Sequence, residues 1–225
     1  MTSATWLLDD TLGANDPGIS PLQVSHAGQV RGSGYRASGI GCSWSLSITH
    51  PISLRDLPPA GTVLYAVGYN PRSGMSRRDV HVVGFKTLLD TVATTTERLI
   101  FVSTTGVYGQ TTGEWVDEDS PRVPAGDSGR VYLEAEQMLL AHQLGTKAII
   151  LRLAGLYGPG RVPQRDRLAS GEPLPAAGYL NLIHVDDAAQ VVLDAERLAV
   201  PPCVYCVSDG HPVLRCDYYA DIARL

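Results

Sequence analysis

The side chains best suited to chemistry lie where a predicted strand gives way to a loop and then to a helix. The apolar run Arg98–Val102 leads into Ser-Thr-Thr-Gly-Val-Tyr-Gly at Ser103–Gly109, and Tyr132 comes on the next helix. A strand-end hydroxyl such as that of Thr104 and a helix-borne phenol can converge on one substrate oxygen. Hydride transfer at a carbinol carbon needs one group to exchange the hydroxyl proton and another to hold the oxygen. The pattern therefore predicts a site for a small hydroxylated metabolite.

Strand-like and helix-like segments alternate through the middle of the chain. Short β-rich apolar runs predict buried strands, and apolar residues at helical spacing predict the helices between them. The alternation predicts an α/β fold with a doubly wound parallel sheet, whose ligands bind at the carboxyl ends of the strands. In chain order, the predicted elements are strand Thr62–Tyr69, helix Ser76–Ala93, strand Arg98–Ser103, helix Gly129–Leu144 and strand Lys147–Leu153.

Shorter elements follow Gly160 and predict a small second lobe. Asp186 and Asp187 suit the first turn of its main helix, because carboxylates there satisfy free backbone amides, so we give them no chemical role. The last helix has barely begun at Leu225, and we expect a truncated C-terminus. The predicted elements are a helix near Arg165–Ser170, strand Tyr179–His184, a helix from Asp186, strand Cys203–Val207 and an amphipathic stretch from Arg215.

Three segments resemble the extended short-chain dehydrogenase/reductase superfamily, in its NAD-dependent epimerase/dehydratase group. They are Ser103–Gly109, the segment Arg152–Gly160 with its Tyr-Gly-Pro-Gly ending, and Ser47–Leu54, where Ser47 and His50 replace two aspartates of the family pattern. The resemblance runs from about Ile40 to the C-terminus. It implies a Rossmann-like domain, incomplete at the N-terminus, over residues 41–160, a partial substrate-binding lobe over 161–225, and an irregular or unrelated segment over 1–40.

The same resemblance assigns catalytic positions to Thr104, Tyr132 and Glu136. Glu136 stands where the family has a lysine that stabilises the tyrosine as its phenolate. A carboxylate there is expected to raise the phenol pKa above its usual value of about 10, which makes Tyr132 a hydrogen-bond donor rather than a base. Two alternatives stay open: Arg130 or another cation pairs with Glu136, or Glu134 and Glu136 form a solvated helix surface.

A cofactor, NAD or NADP, is also implied by the resemblance. The only glycine-loop candidate, Gly32–Ala37, has no strand before it and no helix after it, so we interpret it as coincidence. Gly155 replaces an asparagine that holds substrate in many sugar-nucleotide members, which argues against such a substrate. Ordinary sheet packing is the alternative for the implied cofactor-binding residues, which are Ala66, Val67, Gly68, Ser103, Tyr132, Leu153, Ala154 and Leu156.

The amino-acid composition limits the kinds of molecule that the protein is expected to bind. A formal net charge of −5 without a basic block argues against nucleic acid. No apolar run is long enough to cross a bilayer, and Asp9 and Asp10 stand where a signal peptide would be basic or apolar, so we expect a cytoplasmic protein without membrane contact. Cys203 and Cys206 lie three apart on a predicted strand and face opposite ways, so we expect no metal. A homodimer is expected by analogy with the family.

Two functions from different classes remain. One is an NAD(P)-dependent oxidoreductase or epimerase that acts on a small-molecule substrate and has its catalytic site at Thr104 and Tyr132. The other is a catalytically silent nucleotide-sensing or scaffold member of the same superfamily, which Glu136 and the missing glycine loop favour. A third interpretation is that the sequence is a fragment of a longer protein.

Overall fold

A five-stranded parallel sheet forms the centre of the computed structural model, which describes residues 5–8, 22–25, 43–46, 60–92 and 94–224. Its strands are β1 (Thr5–Leu8), β4 (Thr62–Tyr65), β5 (Arg98–Thr104), β6 (Ala148–Leu153) and β10 (Cys203–Val207), which lie side by side in that order. The strands β2 (Leu22–Ser25) and β3 (Ser43–Leu46) form an antiparallel pair.

Helices connect the strands, and two small strand pairs complete the fold. A π-helical turn, Asp79–Gly84, runs directly into α1 (Phe85–Leu89). The longest helices are α2 (Asp127–Ala141) and α4 (Val185–Leu198); α3 (Arg165–Ala169) and α5 (Arg215–Ile222) are shorter. The small pairs are parallel β7 (Gly155–Tyr157) with β9 (Leu182–His184), and antiparallel β8 (Tyr179–Leu180) with β11 (Val213–Leu214).

Both faces of the sheet are covered, which is why its strands read as continuous apolar runs. Successive strand residues point to opposite faces: Tyr65 and Phe101 pack with α1 and α2, whereas Leu64 and Ile100 pack on the side of α4. Every residue of β6 is buried. The predicted doubly wound parallel sheet is confirmed.

Several element boundaries differ from the prediction. Strands β1 and β2 lie in the segment 1–40, which was predicted to be irregular, and β1 adds a strand to the central sheet. The predicted strand Tyr179–His184 is two strands in different pairs. The glycine-loop candidate Gly32–Ala37 and the segment Ser47–Leu54 lie outside the described residues.

Helix α2 approaches the end of β5 closely through a glycine. A Cβ atom placed on Gly129 would lie 2.0 Å from the carbonyl oxygen of Gly106, which is backbone in the short 3₁₀ turn Thr105–Val107. Only a residue without a side chain permits this approach. The contact sets the first turn of α2 beside the carboxyl end of β5.

Replacing Gly129 by alanine is expected to lower the free energy of unfolding by about 1–3 kcal/mol, because the backbone must shift to relieve the overlap. Gly126→Ala is the control, since a Cβ there meets no atom of the described residues within 4 Å. Gly126 is the N-cap of α2, where alanine is less favourable than glycine, so this variant should cost only about 0.5–1 kcal/mol. Urea denaturation of both variants makes the measurement. Equal stability of the two variants would contradict this account of the contact.

Candidate functional site

The residues predicted to bind a cofactor lie mainly at one edge of the sheet. Strands β4, β5 and β6 end side by side, with Thr104 paired to Leu153 in register. Ala66, Val67 and Gly68 follow β4 directly, and Ala154 follows β6 with its N–H bonded to the carbonyl of Val207 at 2.9 Å. The remaining predicted residue of this edge, Leu156, packs in the apolar cluster beneath it.

Ser103 and Thr104 are neighbours with different surroundings, because they point to opposite faces of the sheet. Ser103 is 4% exposed and donates a 2.6 Å hydrogen bond to Oε1 of Glu136, so its hydroxyl is used inside the protein. Thr104 is partly exposed, and its Oγ1 accepts the N–H of Gly106 at 3.0 Å. The Thr104 hydroxyl keeps its own hydrogen for another acceptor. The hydroxyl of Ser103 is instead bonded to Glu136, and this bond does not support the predicted contact of its side chain with a cofactor.

Tyr132 is mostly buried between aromatic rings. Its ring centroid lies 4.5 Å from that of His81 and 6.3 Å from that of Phe101, and its hydroxyl makes no hydrogen bond to any residue that the structure describes. Burial raises the pKa of Tyr132 to about 12, while the charge of Arg77 acts in the opposite direction. Tyr132 is therefore protonated at neutral pH. The sequence predicted a raised pKa, but its cause is burial rather than Glu136.

Glu136 is completely buried and paired with Arg152, which is 1% exposed. Arg152 Nε donates to Oε1 at 3.1 Å and Nη2 donates to Oε2 at 2.9 Å, a two-pronged geometry that suits a guanidinium and a carboxylate. Arg122 lies 4.0 Å away from the same carboxylate. Of the two alternatives, the structure shows that Glu136 pairs with a cation, and the cation is Arg152. Arg130 does not take this role, since it donates to the carbonyl of Ala125.

The other alternative, a solvated Glu134 and Glu136 surface, is wrong for Glu136. Glu134 is partly exposed and pairs with Arg78, whereas Glu136 points into the protein. An α-helix turns by about 200° over two residues. Glu134 and Glu136 therefore point to opposite sides of α2 and have different environments.

Arg152 also ties the ion pair to the loop after β5. Its Nη1 donates to Tyr108 Oη at 2.5 Å and to the carbonyl of Glu118 at 3.2 Å. The Tyr108 hydroxyl in turn donates to the carbonyl of Asp117 at 2.7 Å and lies 2.9 Å from Sγ of Cys206. Burial alone would lower the pKa of Arg152, but its bonds and the charge of Glu136 more than offset this and raise it.

The sequence contained a signal for this pair. Arg152 interrupts the apolar run Ala148–Leu153, and an arginine in a strand buried on both faces requires an anion. The partner could not be identified, because any acid on a covering helix would have satisfied that requirement.

Removing one partner of the pair should cost about 3–5 kcal/mol of unfolding free energy, because an uncompensated charge stays buried. Glu136→Leu and Arg152→Met are the single variants, and the double variant should recover at least half of the loss of either single one. Chemical denaturation of all three against the parent gives the coupling energy. Additive losses would show that the two side chains do not depend on each other.

His81 is a functional candidate that the sequence reasoning missed. The side chain is fully buried in the π-helical turn, and neither ring nitrogen has a hydrogen-bond partner among the residues that the structure describes. Burial, followed by the charge of Arg77, lowers the pKa of His81 to about 4. Arg77 itself lies 4.2 Å above the ring centre of Tyr69. The available signal was a histidine at an apolar position of a helix, between Val80 and Val82.

His81 should make stability depend on pH. A histidine with a folded-state pKa near 4 and an ordinary value of 6.5 binds fewer protons when folded. Its contribution is therefore complete above pH 6.5 and decreases by on the order of 3 kcal/mol as the pH falls from 6.5 to 4. Urea midpoints across this range should show a shallower slope for His81→Phe than for the parent, while the exposed control His211→Phe retains the parent slope. Identical slopes for both variants would refute the assignment.

No metal-like cluster and no membrane span are found in the described part of the chain. Within residues 60–92 and 94–224, no group of three or more His, Cys, Asp or Glu side chains is arranged to hold a metal ion. Among the helices described there, none is both long and apolar enough to cross a membrane. Cys206, one of the two cysteines with metal-like spacing, contacts the hydroxyl of Tyr108.

An open five-stranded parallel sheet with helices packed on both faces defines a Rossmann-like protein. The chain belongs to the NAD dependent epimerase/dehydratase family, which matches residues 55–198. Protein YeeZ of Escherichia coli K12 is 40% identical over 131 residues, which make up 57% of this chain and 46% of YeeZ. The chain spans about half the length of the curated relatives it matches.

Solved structures share the fold. A putative NAD-dependent epimerase/dehydratase from Methylobacillus flagellatus is 30% identical with a TM-score of 0.61, covering 87% of this chain and 69% of that one. RMD from Pseudomonas aeruginosa, complexed with NADPH, is 20% identical with a TM-score of 0.60 and coverage of 80% and 73%. DesIV, a dTDP-glucose 4,6-dehydratase from Streptomyces venezuelae with NAD bound, is 20% identical with a TM-score of 0.63 and coverage of 79% and 61%.

Proposed function

We propose that this chain is an NAD(P)-dependent oxidoreductase or epimerase that acts on a small hydroxylated metabolite at the carboxyl edge of β4, β5 and β6. The observation that carries the proposal is the placement of Thr104. Its hydroxyl is held by the N–H of Gly106 at the end of β5 and still has a hydrogen to donate. This is the edge at which open parallel sheets bind ligands.

The side chains at this edge suit a dinucleotide. No acidic residue occurs in the segments that follow the three strands, 66–68, 105–107 and 154–156, so the edge does not repel phosphate groups. Ala66, Val67 and Gly68 would border the adenosine, and Leu153, Ala154 and Leu156 would lie beneath the nicotinamide. The NADPH and NAD carried by structural neighbours support this choice of cofactor. When bound, the cofactor supplies the hydride.

In this proposal the hydroxyl of Thr104 holds the substrate oxygen, and the phenol of Tyr132 would reach the same oxygen from the α2 side of the sheet. Because the pKa of Tyr132 is about 12, its phenol donates a hydrogen bond to a carbonyl oxygen more readily than it removes a proton from an alcohol. At neutral pH Tyr132 is therefore in the protonated form that reduction of a carbonyl requires. Gly155, in place of a substrate-holding asparagine, argues against a nucleotide-sugar substrate.

A catalytically silent nucleotide-binding protein is the second candidate. It is favoured by the use of Glu136 in a buried pair with Arg152, which leaves no ionisable side chain of α2 one turn after Tyr132 to assist the phenol. A raised phenol pKa is unfavourable for rapid proton exchange. Such a protein would bind the dinucleotide without turning it over.

The wider organisation is also part of the proposal. Residues 41–160 would form the cofactor-binding domain and 161–225 part of a substrate-binding lobe. The protein would work in the cytoplasm, and a homodimer would form by analogy with the family.

Cofactor binding and turnover separate the two candidates. Tryptophan fluorescence and calorimetric titrations with NAD, NADH, NADP and NADPH should give saturable binding. NADH or NADPH oxidation with short hydroxyaldehydes and hydroxyketones should then fall by about 10²–10⁴ in Tyr132→Phe or Thr104→Val, and not in the exposed control Tyr179→Phe.

The outcomes are distinct. Saturable binding without turnover in the parent protein would support the silent candidate. Unchanged turnover in both site variants would refute the assigned roles of Tyr132 and Thr104. No binding at millimolar cofactor would reject both candidates.

A further inference from the structure

Packing, rather than hydrogen bonding, holds the side chain of Tyr132. No hydrogen bond joins its hydroxyl to a residue that the structure describes, and Glu136, one turn later on α2, is directed at Arg152. Two aromatic rings lie beside the Tyr132 ring. The ring centroid of His81 is 4.5 Å away, with 34° between the planes, and that of Phe101 is 6.3 Å away. His81 therefore makes the closer of these two ring contacts.

The backbone around His81 is anchored on the central sheet. Tyr65 of β4 is fully buried and donates a 3.0 Å hydrogen bond to the carbonyl of Val80, the residue before His81. The π-helical turn Asp79–Gly84 buries three consecutive residues, Val80, His81 and Val82. π-Helical turns are rare and often occur at functional sites. The His81 ring therefore contacts α2 from a backbone that is itself fixed to the sheet.

The ring of His81, and not its nitrogens, makes the contact with Tyr132. Neither nitrogen has a hydrogen-bond partner among the described residues, so the ring contact is the interaction that the structure supplies between the two side chains. Tilted aromatic pairs at such distances are stabilised beyond the burial of their surface area. Burial also lowers the pKa of His81 to about 4, so at neutral pH the imidazole places no charge beside the phenol.

We propose that His81 is a positioning residue, whose ring fixes the ring of Tyr132 and so sets the direction in which the phenol points. The phenol oxygen lies at the far end of a rigid ring, so a small rotation of the side chain moves this oxygen by a larger distance. A misplacement of about 1 Å can lower a rate about 100-fold. The inference rests on the proposed function, in which Tyr132 donates to the substrate oxygen, and adds the residue that places the donor.

Three substitutions separate the ring of His81 from its volume. His81→Phe keeps a flat ring, His81→Leu keeps a similar volume without a ring, and His81→Ala removes both. The kcat of the parent should be kept within about twofold by phenylalanine and should fall about 3- to 10-fold with leucine. With alanine it should fall about 10- to 100-fold. In each case kcat should fall more than the substrate KM rises, because the phenol acts mainly in the transition state.

Chemical modification of Tyr132 gives a second measurement that needs no substrate. N-acetylimidazole acetylates accessible tyrosine hydroxyls, and peptide mass spectrometry gives the rate at Tyr132, with the exposed Tyr179 as the internal reference. Tyr132 should react slowly in the parent and in His81→Phe, because its ring stays packed. It should react about 3- to 10-fold faster in His81→Leu, where the aromatic contact is lost, and faster still in His81→Ala.

Ile149→Ala is the control for a general loss of stability. Ile149 is fully buried in the apolar cluster on the opposite face of the sheet from His81 and Tyr132. The variant should be less stable because it leaves a cavity. At a temperature where every variant is folded, it should keep the parent values of kcat and of Tyr132 acetylation. If His81→Ala does not fold, His81→Leu makes the comparison.

The outcomes separate this proposal from the proposed function. Equal acetylation of Tyr132 in the parent and His81→Leu would overturn the positioning role, and so would an equal increase in Ile149→Ala. In an active protein, an unchanged kcat in both His81→Leu and His81→Ala would also overturn it. Faster acetylation in His81→Leu, together with an absence of turnover in the parent, would reject the proposed enzymatic function and retain the positioning of Tyr132 by His81.

Discussion

A buried ion pair, Glu136 with Arg152, determines how the main helix sits on the sheet. Burying two charges is unfavourable unless nearly all of their hydrogen-bonding capacity is satisfied. Here the carboxylate receives bonds from Arg152 and Ser103, and the guanidinium also reaches Tyr108 and the carbonyl of Glu118. The partners come from α2, β5, β6 and the loop after β5. The pair therefore joins four parts of the chain at one point, and it fixes the end of β5 from which Thr104 faces the carboxyl edge.

The pair also directs the Glu136 carboxylate away from Tyr132, whose pKa is set by burial. A free carboxylate one helical turn away would oppose formation of the phenolate, but Glu136 is directed at Arg152 on the sheet. Tyr132 instead lies among His81 and Phe101, and burial governs its pKa. The alternation of β5 completes the arrangement, because Ser103 faces the ion pair while Thr104 faces the other way. The adjacent hydroxyls of Ser103 and Thr104 thus serve the interior and the carboxyl edge of the sheet, respectively.

Family membership and fold do not by themselves determine the chemistry. Structural neighbours at 20% identity share the sheet and its connections, but a shared fold does not carry a shared reaction. The chemistry of this chain depends on its own side chains. One turn after Tyr132 stands Glu136, which is paired with Arg152, and the buried His81 packs against the ring of Tyr132.

The sequence alone determined the parallel α/β architecture, because long apolar strands alternating with amphipathic helices have few other ways to bury their surface. It also located Thr104 at a strand end and placed most cofactor candidates at one sheet edge, since both follow from local patterns. It did not reveal β1 in an apparently irregular segment, because a short strand becomes recognisable only through its pairing with β4. Nor did it pair Glu136 with Arg152 or bring His81 against Tyr132. Those contacts join residues distant in sequence, and only the packing of helices on the sheet decides which side chains meet.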